Sequence, residues 1–142
     1  MKPDQIISLI SQIHENANRI ITEELASHGI EGLVPSHGGI MVCLFRNDRI
    51  PMSELARIIH RKKNTVTVLV EKLESHGYIS RLSDPDDSRI TLIALTPKGR
   101  SIKDNFRKIS DKLITRTYKG ISAEEKETLV SLLSRICENL NI

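Results

Sequence analysis

Apolar residues recur at helical spacing from the start of the chain. Ile6, Ile10, Ile13, Ala17, Ile20, Ile21 and Leu25 share one side of a helix predicted over 4–27. Asp4 stands where an N-cap is needed, Gly29 where the helix should end, and Gly32 and Pro35 keep the next stretch a loop. A second helix over 36–45 carries Ile40, Val42, Cys43 and Leu44. It is apolar most of the way round, which predicts burial. After Asn47-Asp48 a short helix over 52–59 places Met52, Leu55, Ala56 and Ile59 on one face. A fourth, over 65–76, has the stripe Val66, Leu69, Val70 and Leu73, with Gly77 as its stop.

The period then changes. Residues 78–82 and 90–95 are rich in β-formers, and the turn-forming run from Ser83 to Ser88 between them makes a hairpin with a polar tip. Thr96-Pro97 restarts a helix, with proline at the first position, where its missing N–H costs nothing. That helix is predicted to reach 118, and Gly120 breaks the chain. Ser122 and Glu125 form a capping box for a last helix through Leu140, with Leu129, Leu132, Leu133, Ile136 and Leu140 on its apolar side. Four helices, a hairpin and two more helices give a mainly α fold with a small β-hairpin wing. A short helix, a tight turn, a second helix and then a hairpin is the winged helix-turn-helix order. The lobe spans 36–96, the helix-turn-helix about 53–76 and the wing about 78–95, within a single domain over 1–142.

Composition narrows the function. Phe45, Tyr78, Phe106 and Tyr118 are the only aromatics, too few for a base-stacking platform. The net charge of +3 is modest, but it is concentrated. From Arg46 to Arg100 eleven basic residues face seven acidic ones, a surplus of four that leaves the rest near neutral. A basic middle between neutral helices suits an anionic partner. No run of apolar residues is long enough for a membrane span, and no signal pattern opens the chain. Cys43 and Cys137 match no metal or redox spacing. A reduced, cytoplasmic protein without a cofactor or a membrane partner is expected.

The outward side of the fourth helix holds Thr65, Thr67, Val68, Glu71 and Lys72, with Lys62, Lys63 and Asn64 just before it. Lys62 and Lys63 suit phosphates, which the N–H groups of a helix N-terminus also attract. The threonines and Asn64 suit base edges, asparagine in particular adenine, and Val68 suits a thymine methyl. Asn64 is equally placed to cap the helix, and the two roles are compatible. Ser53, Arg61 and Arg81 complete the candidate contacts of the lobe. In the wing, an arginine at a hairpin tip can enter a narrow minor groove, and Asp87 is placed to hold the guanidinium of Arg89. By itself such a pair would be an ordinary surface ion pair of little energetic weight. Beside a helix-turn-helix it reads as part of a double-stranded DNA interface.

Taken in order, Leu55-Ala56, Thr65-Val66-Thr67, Leu69 to Glu74, Gly77-Tyr78-Ile79, Arg81, Asp84 to Arg89 and Leu95 to Gly99 resemble the MarR family of regulators. The motif run covers about a third of the chain, and the flanking helices follow the family plan over nearly all of it. His60, Arg61 and Val68 depart from the family's usual glycine, apolar residue and arginine. The resemblance implies a homodimer built by terminal helices, here 4–34 and 97–142. It also implies a wing role for Arg89 supported by Asp87, contacts from Asn64 to Lys72, and a repressor released from a pseudo-palindromic operator by a small-molecule or stress signal. Independently, the long terminal helices hold more apolar surface than one small lobe can cover.

Other chemistries fit less well. His14, His28, His37, His60 and His76 follow no tight ligand motif, although Glu23, Glu24, His28 and His37 could gather near one hinge. Cys43, on an apolar helix, reads as an inert thiol rather than an oxidant sensor, and Cys137 as structural. No nucleophile set, phosphate loop or carboxylate pair stands in a convincing context for an enzyme. The competing reading is a winged-helix module for protein contact without DNA. Arg61-Lys62-Lys63 and Arg89 on one face discriminate against it.

Overall fold

Each helix of the lobe ends on a device written in its own sequence. The computed structural model describes residues 1–141; Ile142, the last residue of the expected terminal segment, lies outside them. Helix α1, Ile6–Ser27, is followed by α2, Gly38–Arg46. A two-residue strand β1, Ile50–Pro51, leads into α3, Met52–Ile58, and α4, Lys63–Ser75. After α3 the chain turns left-handed at His60, φ +55°. The N–H of His60 then donates to the carbonyl of Arg57 and that of Arg61 to the carbonyl of Ala56. This is the paired-bond helix stop, and a histidine fills the position that glycine usually takes. Gly77, φ +79°, does the same for α4, with Gly77 N–H on Glu74 and Tyr78 N–H on Leu73.

The wing consists of β2, Ile79–Ser83, and β3, Thr91–Leu95, paired antiparallel from Ile79↔Leu95 to Ser83↔Thr91. Strand β1 joins the other edge of β3 through Ile50↔Ile93 and Pro51↔Leu92, so the sheet order is β1-β3-β2. The third strand leaves no mark in the sequence pattern, because two residues carry no alternation. Then come α5, Pro97–Ser101, α6, Lys103–Thr117, and α7, Ala123–Leu140. The single helix expected over 97–118 is thus interrupted at Ile102.

Two compact units divide the chain at 109/110. In the first, Ile40, Met41, Leu55, Val66, Val70, Leu73 and Ile93 are fully buried, joined by Leu25, Ile30, Leu44, Tyr78, Ile79, Ile102 and Ile109. The α3 and α4 stripes meet there as their periodicity requires, with Leu69 and Ile59 half-buried at the margin. Burial of α2 is one-sided rather than all round: Val42 is exposed and Cys43 half-buried. Asp4 does not cap α1. It sits in a short 3-10 turn over Pro3–Gln5, whose opening N–H, on Lys2, is taken by the Gln5 side chain. Along α1 only Leu25 is buried, and Ile6, Ile7 and Ile13 are exposed.

In the second unit Ser122 caps α7 as its sequence predicts, its hydroxyl accepting from Glu125 N–H while the Glu125 carboxylate accepts from Ser122 N–H. These hydrogen bonds hold the Glu125 carboxyl below its ordinary range. No residue of α7 is buried; Leu129, Val130, Leu132, Leu133 and Leu140 are 39–63% exposed.

Candidate nucleic-acid interface

Helix α4 divides its residues by period. Val66, Val70 and Leu73 point into the core, which turns Asn64, Thr65, Val68, Glu71 and Lys72 to solvent. Val68, at 66% exposed, is an apolar side chain that the lobe itself does not use. The helix begins at Lys63, two residues before the expected start, so Asn64 lies inside its first turn and is not the cap. Lys62 holds the cap position in extended backbone and makes no side-chain capping bond. The leading N–H groups, Arg61, Lys62 and Lys63 are all exposed at one end of the helix, a combination that attracts anions. Thr67 is half-buried, and its hydroxyl donates to the Lys63 carbonyl at 2.9 Å, leaving only its lone pairs for another partner. Ser53 is exposed in the first turn of α3.

The wing tip is built from its acidic residues. Asp84 Oδ1 accepts from the N–H groups of Asp86 and Asp87 at 2.8 and 3.1 Å, and Ile90 N–H donates to the Asp87 carbonyl. The turn so formed presents the Asp87 carboxylate to Arg89. Nε of Arg89 donates to Oδ1 and Nη2 to Oδ2, both at 3.0 Å, and the backbone N–H of Arg89 adds a third bond to Oδ1. This fork holds the Asp87 carboxyl below its usual range and raises the guanidinium's proton affinity further. Arg89 is 88% exposed, so the carboxylate orients a cation whose outer edge stays open.

Arg81, expected among the DNA contacts, is paired within the lobe. Its Nε donates to both carboxylate oxygens of Glu74 at 3.1 and 3.2 Å, and its Nη2 lies 2.9 Å from Oε1. Glu74 is on α4 and Arg81 on β2, so the pair ties the helix to the hairpin. A second tie was also missed. Lys98 Nζ donates to the His76 carbonyl at 2.6 Å and lies 4.6 Å from the centre of the Tyr78 ring. Thr96 accepts from Gly99 N–H, as a cap should, and donates to the Gly77 carbonyl. The signal for these ties lay in the run from Leu95 to Gly99, but partners some twenty residues away cannot be named from spacing.

His37 is fully buried, with both ring nitrogens bonded to backbone, Nδ1 to Val34 and Nε2 to Leu69. Among the described residues no group of three or more His, Cys, Asp or Glu could hold a metal. Nor is any described helix long and apolar enough to cross a membrane.

An unpaired helix face beside a hairpin that carries an oriented arginine defines a winged helix-turn-helix protein. The MarR family model matches residues 34–91. The uncharacterized HTH-type transcriptional regulator YdgJ of Bacillus subtilis is 32% identical over 110 residues, covering 78% of this chain and 67% of its own length. The crystal structure of a probable transcriptional regulator from Pseudomonas aeruginosa superimposes with a TM-score of 0.80 at 28% identity, over 94% of this chain and 97% of that one. A mutant MarR from E. coli complexed with operator DNA shares the fold, with a TM-score of 0.80 at 22% identity over 96% of this chain and 99% of its own. The chain belongs to the MarR family.

Proposed function

We propose that this protein is a DNA-binding transcriptional regulator that works as a homodimer, with Ser53, Arg61, Lys62, Lys63, Asn64, Thr65, Thr67, Val68, Lys72 and Arg89 against the duplex. The observation that carries the reading is the orientation of Arg89 by Asp87 on the same unit as a solvent-exposed α4 face. Arg61, Lys62 and Lys63 neutralise phosphates at the head of the helix. Asn64, Thr65 and Val68 face base edges, and Arg89 enters the adjacent minor groove. Arg81 leaves this set, since its charge is met by Glu74; Asp87 stays in it as the support of Arg89.

The apolar faces of α1 and α7, each exposed on its own unit, supply the surface that a second copy covers. Residues 4–34 and 97–142 thus act as dimerisation segments around a lobe over 36–96. Two-fold symmetry then matches a pseudo-palindromic operator. Repression, with release by a small molecule or stress signal, follows from the family. Such a signal acts only as far as it binds one spacing of the lobes better than the other.

Binding measured by gel shift and anisotropy on genomic fragments tests the reading. Wild type selects a short duplex, binds as two chains, and weakens steeply with salt. Arg89→Ala loses most of that affinity while remaining dimeric. Absence of any duplex binding by wild type would return the fold to a protein-contact role.

A further inference from the structure

Glu74 is an acid on an element whose work is to approach phosphates, and electrostatics alone makes it a liability there. Its geometry gives it another role. All three polar contacts from Arg81 converge on its carboxylate at 2.9–3.2 Å. The two side chains are 37% and 38% exposed, so the pair sits at the surface between α4 and β2 rather than in the core. An isolated surface ion pair contributes little to stability. The position of this one is what matters. Glu74 lies two residues past Lys72 on α4, and Arg81 lies three residues before Asp84, whose carboxylate organises the wing tip. The base of the hairpin is already fixed by Thr96 N–H on the Tyr78 carbonyl and by Lys98 on His76. The Glu74–Arg81 bridge adds a fixed point further along β2, between that base and the tip.

We propose that Glu74 is a positioning residue for DNA recognition, which locks the wing to the recognition helix through Arg81 so that Arg89 and the α4 face meet the duplex in one register. The inference rests on the DNA-binding reading above. Glu74 touches no DNA. It holds the hairpin at a set angle and keeps Arg81 from collecting phosphates indiscriminately.

The two physical effects of removing the carboxylate have opposite signs, which makes the test decisive. If Glu74 is only a solvated acid, Glu74→Gln removes a repulsion, frees a guanidinium and tightens binding to every duplex. If it is the lock, operator affinity falls although the protein has become more basic. The probe is a duplex selected from genomic fragments by the wild-type protein, alongside a scrambled duplex of equal length, both measured by anisotropy at two salt concentrations. Expected for Glu74→Gln is a roughly five- to tenfold loss on the selected duplex, the size of one specific contact out of register. The scrambled duplex is bound as well as before or better, and the melting temperature is little changed. Arg81→Gln reproduces the loss of preference. The charge-swapped double variant, Glu74→Arg with Arg81→Glu, restores much of it, which a purely electrostatic effect on DNA would not do. Equal or tighter binding of Glu74→Gln to the selected duplex overturns the proposal, as does failure of the swap to recover preference in a folded dimer. Failure of wild type to select any duplex would instead remove the DNA-binding reading on which the lock depends.

Discussion

The imidazole of His37 bridges two backbone groups 35 residues apart in sequence: Nε2 donates to the Leu69 carbonyl at 3.1 Å, and Nδ1 accepts from the Val34 N–H at 3.0 Å. A carbonyl can only accept and an amide N–H can only donate, so the ring is neutral with its proton on Nε2. It fastens the loop before α2 to the middle of α4.

Burial lowers the proton affinity of this ring. The bond to Leu69 opposes the shift, and Lys72 and His76 add to it. The unfolded chain therefore takes up a proton, below about pH 6.5, that the folded protein refuses. The contribution of His37 is fully present above that range and is lost as pH falls toward the lower folded value, by at most about 1.4 kcal/mol per pH unit. His37→Phe strands the Val34 and Leu69 groups and costs about 1–3 kcal/mol near neutral pH. Urea melts at pH 7.5, 6.5 and 5.5 check both statements. The variant should show the shallower fall across that interval, and parallel curves would dismiss His37 as the source.

Gly99 is buried in α5, against Tyr78 at the start of β2 and Leu95 at the end of β3. A Cβ there would collide with the carbonyl oxygen of Tyr78 and press on a Leu95 methyl. That carbonyl already accepts from Thr96 N–H and cannot move without loosening the wing base. Gly99→Ala should therefore destabilise by about 1–3 kcal/mol, as overpacking against a fixed backbone does. Gly120→Ala is strained only by its φ of +79°, with no atom near, and should cost less. Denaturant midpoints of the two variants order them.

Arg89 and Asp87 should separate by kind of effect. Arg89→Ala removes the cation itself, with a loss of about 1–3 kcal/mol in operator affinity and a salt slope lower by about 1. Asp87→Asn leaves the charge and removes its fork. It should weaken operator binding by less and leave the salt slope near the wild-type value. Titrations of each variant at several salt concentrations read both quantities; identical slopes for the two would refute the assignment.

The apolar side of α7 predicts association. Leu129 and Leu133 stand four residues apart on one face, each 39% exposed. Replacing both by glutamate should shift the protein to monomer at micromolar concentration in sedimentation equilibrium. The Ser122 cap keeps α7 helical in that variant, which circular dichroism verifies. A dimer that survives the double substitution would place the interface elsewhere.

Much of the lobe could be read from the chain because its signals are local. The Val66–Val70–Leu73 stripe, the Thr96 cap and the left-handed stop at Gly77 each involve groups within seven residues, as does the Ser122–Glu125 box beyond the lobe. Asn64 reads as a possible cap only because the helix begins two residues before the start its sequence marks. No capping side chain marks the earlier start, and α4 begins on an unremarkable Lys62-Lys63. The oriented Arg89 was legible for the same reason as the caps, since Asp87 is two residues away.

The sequence alone determined the order of helices and hairpin, the stop at Gly77 and which faces are apolar, because periodicity and capping act over a turn or two of chain, but not the break at Ile102 or the short strand β1. Only the folded structure decided that Ile50 pairs with Ile93, that Glu74 claims Arg81, and that His37 is spent on Leu69. Each of those partners is separated by seven to forty-three residues, so the choice rests on how α4, the hairpin and α2 pack together. No local pattern records that packing.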